Sequence, residues 1–374
     1  MPRFLHTADW QIGRQYQSFG PEDGPLLADA RFQVVERIAS LATAENANAV
    51  LVAGDVFDAQ TVSDRTIRRL FNALGGFNGP WIMIPGNHDA ALAESVWTRA
   101  QRLHAIPQNV HLAVSPEVRL FPDLGFAILP APLTQRHTHS DLTEWFTYAQ
   151  TPPGLVRIGL AHGSVQGILA EDIDSANPIS PERAQRAGLD YLALGDWHGS
   201  KQIDARTWYS GTPEQDRFKS NGAGQVLLVD IDGPGSDPVV NRVATGQFTW
   251  LQWDHTLRVA SDIDQLIDRI EQVTEPSVLN IRVDGEIDLA GQERLRHALS
   301  LAEARHRSLQ CDLSGLRLHP TDDDIAALHA DGYLGEVIAD LRDRQQGEQP
   351  DTAREALTIL AGLLRSRQTQ EEDA

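Results

Sequence analysis

The chain has 374 residues, of which 41% are hydrophobic and 22% are charged, a composition typical of a globular protein. No apolar run approaches the roughly 20 residues that a membrane span requires, and the N-terminus lacks the apolar stretch and cleavage site of a secretory signal, so a cytoplasmic protein without membrane association is expected. The single cysteine, Cys311, excludes an internal disulfide framework and a thiolate cluster, so any metal must be bound through oxygen and imidazole.

The formal net charge of −20 is unusual for a protein that binds nucleic acid, because such proteins commonly present a basic surface. It therefore counts against a DNA substrate. A single cleft can differ from the net charge, since cations bound by acidic side chains reverse the local potential.

The first 230 or so residues alternate short apolar runs with helical stretches, the pattern of a layered α/β domain. Helical spacing of apolar residues predicts helices at residues 32–41 and 66–74. Strands are predicted at residues 4–7, 49–53, 81–84, 125–129, 156–161, 191–194 and 225–230. Most of these strands run directly into a polar segment that contains glycine, and in layered α/β folds ligand sites form beyond strand ends.

A segment rich in Gly, Pro and Asp, residues 232–238, interrupts this pattern, and two more strands are predicted around residues 239 and 248–253. A helix at 263–273, a strand at 278–283 and a helix at 289–306 then predict a small α+β domain. The remainder is helical in pattern and includes an amphipathic stretch at 353–364. We predict a main domain over residues 1–250, a small domain over 251–320 and a C-terminal helical segment over 321–374.

Five segments that follow predicted strands carry side chains of the types that ligate metals. One such segment alone would be read as a turn, but five in succession after apolar strands indicate a site. The side chains are Asp9 and Gln11, then Asp55 and Asp58, then Asn87, His88 and Asp89, then His162, and finally Asp196 and His198.

These residue types suit a pair of divalent cations, which lie about 3.5 to 4 Å apart and need a bridging anion, flanking ligands and an open face. Asp55, a short carboxylate on a glycine turn, can approach both ions. Asn87, His162 and His198 would add neutral ligands, which limits the negative charge facing a phosphate. The sequence therefore predicts a site where two cations activate water against a phosphodiester.

His88 directly follows Asn87 and should point to the other side of the same turn. There it would stabilise or protonate the leaving oxygen. We expect the Asp58 carboxylate to orient the His88 ring.

Taken together, these segments resemble the calcineurin-like metallophosphoesterase superfamily in their order and approximate spacing. Within that superfamily, the segment at residues 209–213 resembles the SbcD-type DNA double-strand-break repair nucleases and their YhaO-like relatives. The motifs are Asp9-Trp10-Gln11, Gly54-Asp55-Val56-Phe57-Asp58, Gly86-Asn87-His88-Asp89, Ala161-His162-Gly163, Gly195-Asp196-Trp197-His198 and Tyr209-Ser210-Gly211-Thr212-Pro213.

The resemblance implies two sandwiched β-sheets flanked by helices, with a small capping domain and a C-terminal helical segment that docks on an SMC-like, SbcC-type ATPase. It also implies a homodimer, two manganese ions, with magnesium as the alternative, and His88 as the catalytic histidine. By motif position, one ion would be bound by Asp9, Gln11, Asp55 and His198, and the other by Asp55, Asn87, His162 and Asp196.

Two positions depart from the pattern of the superfamily, because Gln11 and Asp196 stand where most members have histidine. Both changes replace an imidazole nitrogen with a side chain that ligates through oxygen, which favours manganese or magnesium over zinc. Gln11 is the weaker ligand of the two, because a neutral amide binds a cation less strongly than a carboxylate does.

The function expected from these features is a metal-dependent nuclease of DNA repair, an exonuclease or endonuclease in which a metal-bound hydroxide attacks the phosphodiester. A small-molecule phosphodiesterase, acting for instance on cyclic nucleotides, is the alternative favoured by the charge of −20. A catalytically silent DNA-binding or regulatory subunit is a third reading, supported by the two departures. Four basic residues close to the motifs are either phosphate contacts or solvated charges: Arg14, Lys201, Arg217 and Lys219.

Overall fold

A computed structural model describes residues 1–168, 177–274, 276–319, 321, 333–345 and 350–372. The chain forms two compact units, Met1–Phe248 and Thr249–Ala374. Among the residues described, no helix has both the length and the apolar character that a membrane crossing requires.

Within residues 1–168 and 177–248, the first unit contains two six-stranded sheets and one two-stranded sheet. Its strands are β1 (Arg3–Thr7), β2 (Ala49–Ala53), β3 (Trp81–Ile84), β4 (Val110–Leu112), β5 (Arg119–Phe121), β6 (Phe126–Ala131), β7 (Val156–His162), β8 (Ser164–Val165), β9 (Pro178–Ile179), β10 (Tyr191–Gly195), β11 (Lys201–Gln202), β12 (Thr207–Tyr209), β13 (Gln225–Asp230) and β14 (Val239–Ala244). The strand orders are β14-β13-β1-β2-β3-β4 in the first sheet and β11-β12-β10-β7-β6-β5 in the second, and β8 pairs with β9.

Helices cover the outer faces of these sheets. They are α1 (Asp23–Ala44), α2 (Asp64–Ala73), α3 (Val96–Arg102) and α4 (Arg183–Arg186), with single 3-10 turns at Leu74–Gly76, Pro122–Leu124 and Glu144–Thr147. The α2 helix begins where the Ser63 side chain accepts a hydrogen bond from the Thr66 amide, a typical N-terminal cap.

Alternation along the buried strands explains why the two sheets face each other. Phe4 and Leu51 point into a core shared with Ile158 of the second sheet. Their neighbours Leu5 and Val50 point the other way, into a core shared with α1 and α2. Because both faces of these strands are buried, their sequences read as continuous apolar runs. The predicted α/β fold of two sandwiched sheets flanked by helices is confirmed.

The order of parallel strands decides where the polar loops meet. In the first sheet β1, β2 and β3 run parallel, and in the second β6, β7 and β10 run parallel. Parallel strands present their carboxyl ends at one edge of a sheet, so the loops that follow them lie together there.

The predicted strands of the first unit agree with the observed ones to within two residues at either end. The structure adds the short strands β4, β5, β11 and β12, and the helix α3. These elements contain seven residues or fewer, so they carry too little periodicity to be recognised from sequence. The predicted helix at 32–41 is the central part of α1, which extends over 22 residues.

The described residues of the second unit form a three-stranded parallel sheet and four helices. Its core is formed by Leu266, Leu279, Ile281 and Leu295. The sheet has the order β15 (Thr249–Leu257), β16 (Ser277–Ile287), β17 (Ser308–Leu318), and the helices are α5 (Ala260–Glu271), α6 (Leu289–Arg305), α7 (Tyr333–Gln345) and α8 (Pro350–Glu372).

The amphipathic stretch predicted at residues 353–364 lies in α8. Leu357 packs against Ile338 of α7, and Ala361 packs against Leu289 at the start of α6. Of the C-terminal segment predicted over residues 321–374, residues 322–332, 346–349 and 373–374 lie outside the part of the chain that the structure describes.

Candidate metal centre

The loops that carry the predicted ligands follow β1, β2, β3, β7 and β10, and hydrogen bonds join them. The Asp9 amide donates to the Gly54 carbonyl oxygen (3.1 Å), and the Gln11 amide donates to the Asp55 carbonyl oxygen (2.9 Å). Across the two sheets, the Asp196 amide donates to the Asp9 carboxylate (3.1 Å). The His88 amide donates to the Asp55 carboxylate (2.9 Å), and Nδ1 of His162 lies 2.8 Å from the Ala53 carbonyl oxygen, so all five segments form one hydrogen-bonded cluster at the carboxyl edge of both sheets.

Four of the predicted ligands have backbone conformations that non-glycine residues seldom adopt. The φ angles are 56° at Asp9, 45° at Gln11, 52° at Asp55 and 103° at Asp196. Such conformations cost about 1 to 3 kcal/mol each and persist where the surrounding structure enforces them. All four of these residues lie in the segments that meet at the cluster.

Gly54 makes the close approach of the two sheets possible. Its φ is 90°, and a Cβ at this position would overlap Nδ1 of His162. Only glycine combines that backbone conformation with the absence of a side chain. The glycine before Asp55 is therefore required by the position of His162 on the opposite sheet.

Asp9, Asp55 and His162 form the centre of the cluster. All three are buried, and one ligand atom from each lies within 4.8 Å of the others. The Asn87 amide atom that faces them lies 3.0 Å from His162 Nε2 and 3.0 and 3.1 Å from the Asp55 oxygens. Asp196 Oδ1 lies 3.7 Å from His162 Nε2. These residues could hold a metal ion.

The electrostatics of this cluster fit a bound divalent cation. Burial, reinforced by the Asp9 and Asp55 charges, raises the pKa of Asp196 to about 6. Burial also raises the pKa of Asp9. Burial alone would lower the pKa of His162, but the charges of Asp55, Asp9 and Asp196 outweigh it and raise the value to about 9. Positive charge is thus favoured where His162 Nε2 points, and a cation would satisfy several buried carboxylates at once.

Three histidines turn Nε2 toward the cluster and use Nδ1 for a second contact. Nδ1 of His88 and of His162 lies 2.8 Å from a carbonyl oxygen, that of Asp58 and of Ala53 respectively. Because a carbonyl only accepts, each Nδ1 carries the proton. Nδ1 of His198 lies 3.0 Å from an Asp216 carboxylate oxygen. The carbonyl contacts of His88 and His162 orient their rings so that Nε2 of each points toward the ligands.

The predicted role of Asp58 needs correction. We expected its carboxylate to orient His88, but the hydrogen bond runs to the main-chain carbonyl oxygen of Asp58. The carboxylate of Asp58 makes no hydrogen bond or ion pair within the described part of the chain. The Asp55 carboxylate fixes the other end of the loop, because its Oδ1 accepts from the His88 amide (2.9 Å).

Gln11 lies at the cluster, but its amide oxygen does not face the carboxylates. Oε1 accepts a hydrogen bond from Arg14 Nη1 (2.6 Å), while Nε2 lies 3.1 Å from His198 Nε2. The oxygen that we expected to ligate a metal is therefore engaged by an arginine. An amide nitrogen is not a ligand, so this orientation does not bind a cation.

Asp216 is a site residue that the sequence analysis missed. Its side chain is fully buried and contacts His198 (3.0 Å), Arg14 (3.1 Å) and Arg217 (3.0 Å). Burial opposes ionisation, yet the hydrogen bond and charge of His198 and the charge of Arg31 hold the pKa of Asp216 well below its ordinary range. Its nearest sequence signal was the resemblance at residues 209–213, just upstream. Arg14 and Arg217, predicted as phosphate contacts or solvated charges, pair with this carboxylate.

Asp89 joins two of the ligand loops and is buried completely. One oxygen accepts from the Gly86 amide (2.7 Å), and the other accepts from the amides of Val56 (2.9 Å) and Phe57 (3.1 Å). It therefore fixes the loop of Asp55 against the loop of Asn87.

Three known proteins are similar to the chain in sequence. The chain is 25% identical over 247 residues to the uncharacterized metallophosphoesterase YhaO of Bacillus subtilis, covering 61% of this chain and 57% of YhaO. It is 27% identical over 261 residues to the DNA double-strand break repair protein Mre11 of Aeropyrum pernix, covering 65% of this chain and 61% of Mre11. It is 38% identical over 96 residues to one subunit of the nuclease SbcCD of Rhodobacter capsulatus, covering 24% of this chain and 22% of that subunit.

Each match spans less than two thirds of the length of the relative. The calcineurin-like phosphoesterase family matches residues 2–221, more than half of the chain, and this range includes all of the predicted ligands. The chain therefore belongs to the calcineurin-like phosphoesterases, a family of metal-dependent hydrolases that act on phosphoester bonds.

Proposed function

We propose that the protein is a divalent-metal-dependent phosphodiesterase that cleaves DNA, as a nuclease subunit in DNA repair. The observation that carries the proposal is the meeting of Asp9, Asp55 and His162, from loops of both sheets, with ligand atoms within 4.8 Å of one another. The names of two relatives, a component of a nuclease and a DNA double-strand break repair protein, support the choice of DNA.

The ligands that we assign follow the family pattern. Asp55, Asn87, His162 and Asp196 would hold one ion, and Asp9, Gln11, Asp55 and His198 the other. Oxygen donors predominate, so we propose Mn²⁺ in preference to zinc, with Mg²⁺ as the alternative. Ions bound there would polarise the phosphodiester and lower the pKa of a water molecule.

His88 would supply the proton for the leaving oxygen. Its side chain is 32% exposed, and Nε2 lies 3.9 Å from Asp55 Oδ2, on the side of the ring that faces the ligands. The Asp58 carbonyl keeps a proton on Nδ1, so a proton donated from Nε2 leaves the neutral ring in the tautomer that this contact favours. The main chain of Asp58 thus assists the reaction by orientation.

The test compares two substrates in the presence of Mn²⁺, bis-p-nitrophenyl phosphate and labelled linear DNA. We expect Asp55→Ala to remove both activities. His88→Ala should lower DNA cleavage by about 10²- to 10⁴-fold. It should affect bis-p-nitrophenyl phosphate much less, because nitrophenolate leaves without being protonated. The matched control is His297→Ala, which removes an exposed histidine of α6.

Equal losses on both substrates in His88→Ala would contradict the role of His88 as the proton donor. No turnover in Mn²⁺, Mg²⁺ or Zn²⁺ would favour a catalytically silent subunit instead, a reading that the Gln11 orientation supports. Hydrolysis of cyclic nucleotides without cleavage of DNA would favour the small-molecule phosphodiesterase, in keeping with the net charge of −20.

We further propose that the protein works as a homodimer with an SMC-like ATPase, since one relative is named as a subunit of a larger nuclease. In α8, Ile359 and Leu363 are 58% and 65% exposed and lie one helical turn apart, opposite the buried Leu357 and Ala361. An exposed apolar stripe of this kind suits a partner helix. Light scattering of Ile359→Asp/Leu363→Asp with and without the ATPase would test it, and unchanged complex formation would contradict it.

A further inference from the structure

We infer that the two ion positions of the proposed centre are unequal, and that Gln11 and Arg14 make them so. The chain would retain one divalent ion at Asp55, Asn87, His162 and Asp196, and exchange the other readily at Asp9, Gln11, Asp55 and His198. This inference rests on the proposed function, because it concerns the ligands assigned there.

The weak position has two of its assigned donor atoms engaged by protein groups. Gln11 Oε1 accepts from Arg14 Nη1 (2.6 Å), and the Gln11 amide nitrogen lies 3.1 Å from His198 Nε2. An amide nitrogen only donates, so Nε2 of His198 accepts from Gln11 with the lone pair that a metal would need. A cation at this position must therefore displace both hydrogen bonds.

These contacts close into a ring, which we call the Gln11 ring: Gln11, Arg14, Asp216 and His198. Arg14 Nη1 lies 3.1 Å from Asp216 Oδ2, the oxygen that also contacts His198. Rotating the Gln11 amide to present its oxygen to a cation would turn its NH₂ group against the guanidinium, a contact between two donors. Arg14 thus fixes the amide in the orientation that does not ligate.

At the retained position the Asn87 amide nitrogen contacts His162 Nε2 (3.0 Å) and the Asp55 oxygens (3.0 and 3.1 Å), but no guanidinium of the described residues fixes that amide. His162 Nε2 faces Asp55, Asn87 and Asp196 at 3.0 to 3.7 Å. In the described part of the chain, no arginine or lysine makes an ion pair or hydrogen bond with these four side chains. A cation at the retained position therefore has only to turn the Asn87 amide, whereas at the weak position it must also displace a guanidinium, whose charge repels it.

The test measures Mn²⁺ binding by calorimetry, and metal content after gel filtration, on the metal-stripped full chain. We expect one tightly bound ion per chain and a second ion bound about 10- to 100-fold more weakly. Arg14→Met releases the Gln11 oxygen and should tighten the second ion by a similar factor. Gln11→His restores an imidazole and should also tighten it, by a different chemical route.

The matched control is Arg217→Met. Arg217 contacts Asp216 and His198 but not Gln11, so its loss removes a nearby positive charge without freeing the amide oxygen. Two equally tight ions in the unaltered chain would overturn the inference. The inference would also be overturned if Arg14→Met bound the second ion no more tightly than the unaltered chain does. The same holds if Arg217→Met tightened the second ion as much as Arg14→Met. No Mn²⁺ binding at all would overturn the proposed function together with it.

Discussion

Replacing Asp89 by alanine should destabilise the Met1–Phe248 unit by about 3 kcal/mol. The variant leaves three buried backbone amides, those of Gly86, Val56 and Phe57, without their acceptor. Each unsatisfied buried donor costs about 1 to 3 kcal/mol. Part of that loss is offset, because burial and the Asp55 charge raise the pKa of Asp89 to about 7, so the native carboxylate is itself costly to ionise.

The measurement is urea unfolding of metal-stripped protein followed by tryptophan fluorescence. Asp89→Asn keeps an oxygen acceptor toward one loop but places its NH₂ group against the backbone amides of the other. Its free energy of unfolding should therefore lie between that of the wild type and that of the alanine variant. Asp58→Ala is the control, because it removes a half-buried carboxylate from the adjoining Asp55 loop and should change the stability by less than about 0.5 kcal/mol. A loss below about 1 kcal/mol in Asp89→Ala would refute the reasoning.

Three further outcomes are expected. Burial lowers the pKa of His6 to about 3, below its unfolded value of 6.5, so stability present above pH 6.5 is lost as the pH falls toward 3. At pH 5 the loss should be about 2 kcal/mol, and urea titrations of His6→Gln at pH 5 and 7.5 should lack that component. Gly54→Ala should destabilise the protein by at least about 2 kcal/mol and weaken Mn²⁺ binding, whereas Gly233→Ala, where a Cβ meets no atom within 4 Å, should do neither in the same two assays. Mn²⁺ added to metal-stripped protein should raise the melting temperature in differential scanning fluorimetry, because an ion bound only by the folded state stabilises it, and an equal rise in Asp55→Ala would contradict the assigned ligands.

The sequence predicts the layered fold because its central strands are buried on both faces. Residues 49–53, for example, form an unbroken apolar run that ends at Gly54, and the strand occupies those residues in the structure. Short edge strands such as β5 and β11 were not predicted, because two or three residues with mixed exposure carry no readable period. Long buried elements are predictable because the apolar runs that form the core are also readable in the sequence.

The predicted ligands were identified by residue type after a strand, which indicates which loops meet but not which atoms face one another. Three contacts illustrate the limit: the carbonyl of Asp58 on His88, the guanidinium of Arg14 on Gln11, and the Asp216 carboxylate on His198. The first uses the main chain, which is the same for every residue type. The other two join residues through side-chain rotamers that sequence spacing does not determine.

The left-handed backbone at Asp9, Gln11, Asp55 and Asp196 lowers the thermal stability of this chain at the positions of its proposed metal ligands. Glycine would adopt each of these conformations without strain, and it would also remove a buried acid at three of the four positions. Laboratory selection for thermal stability alone, in medium depleted of divalent ions, should therefore accumulate glycine at these positions and yield a more stable but inactive protein. Selection for phosphoester hydrolysis should restore the acids and lower the stability again.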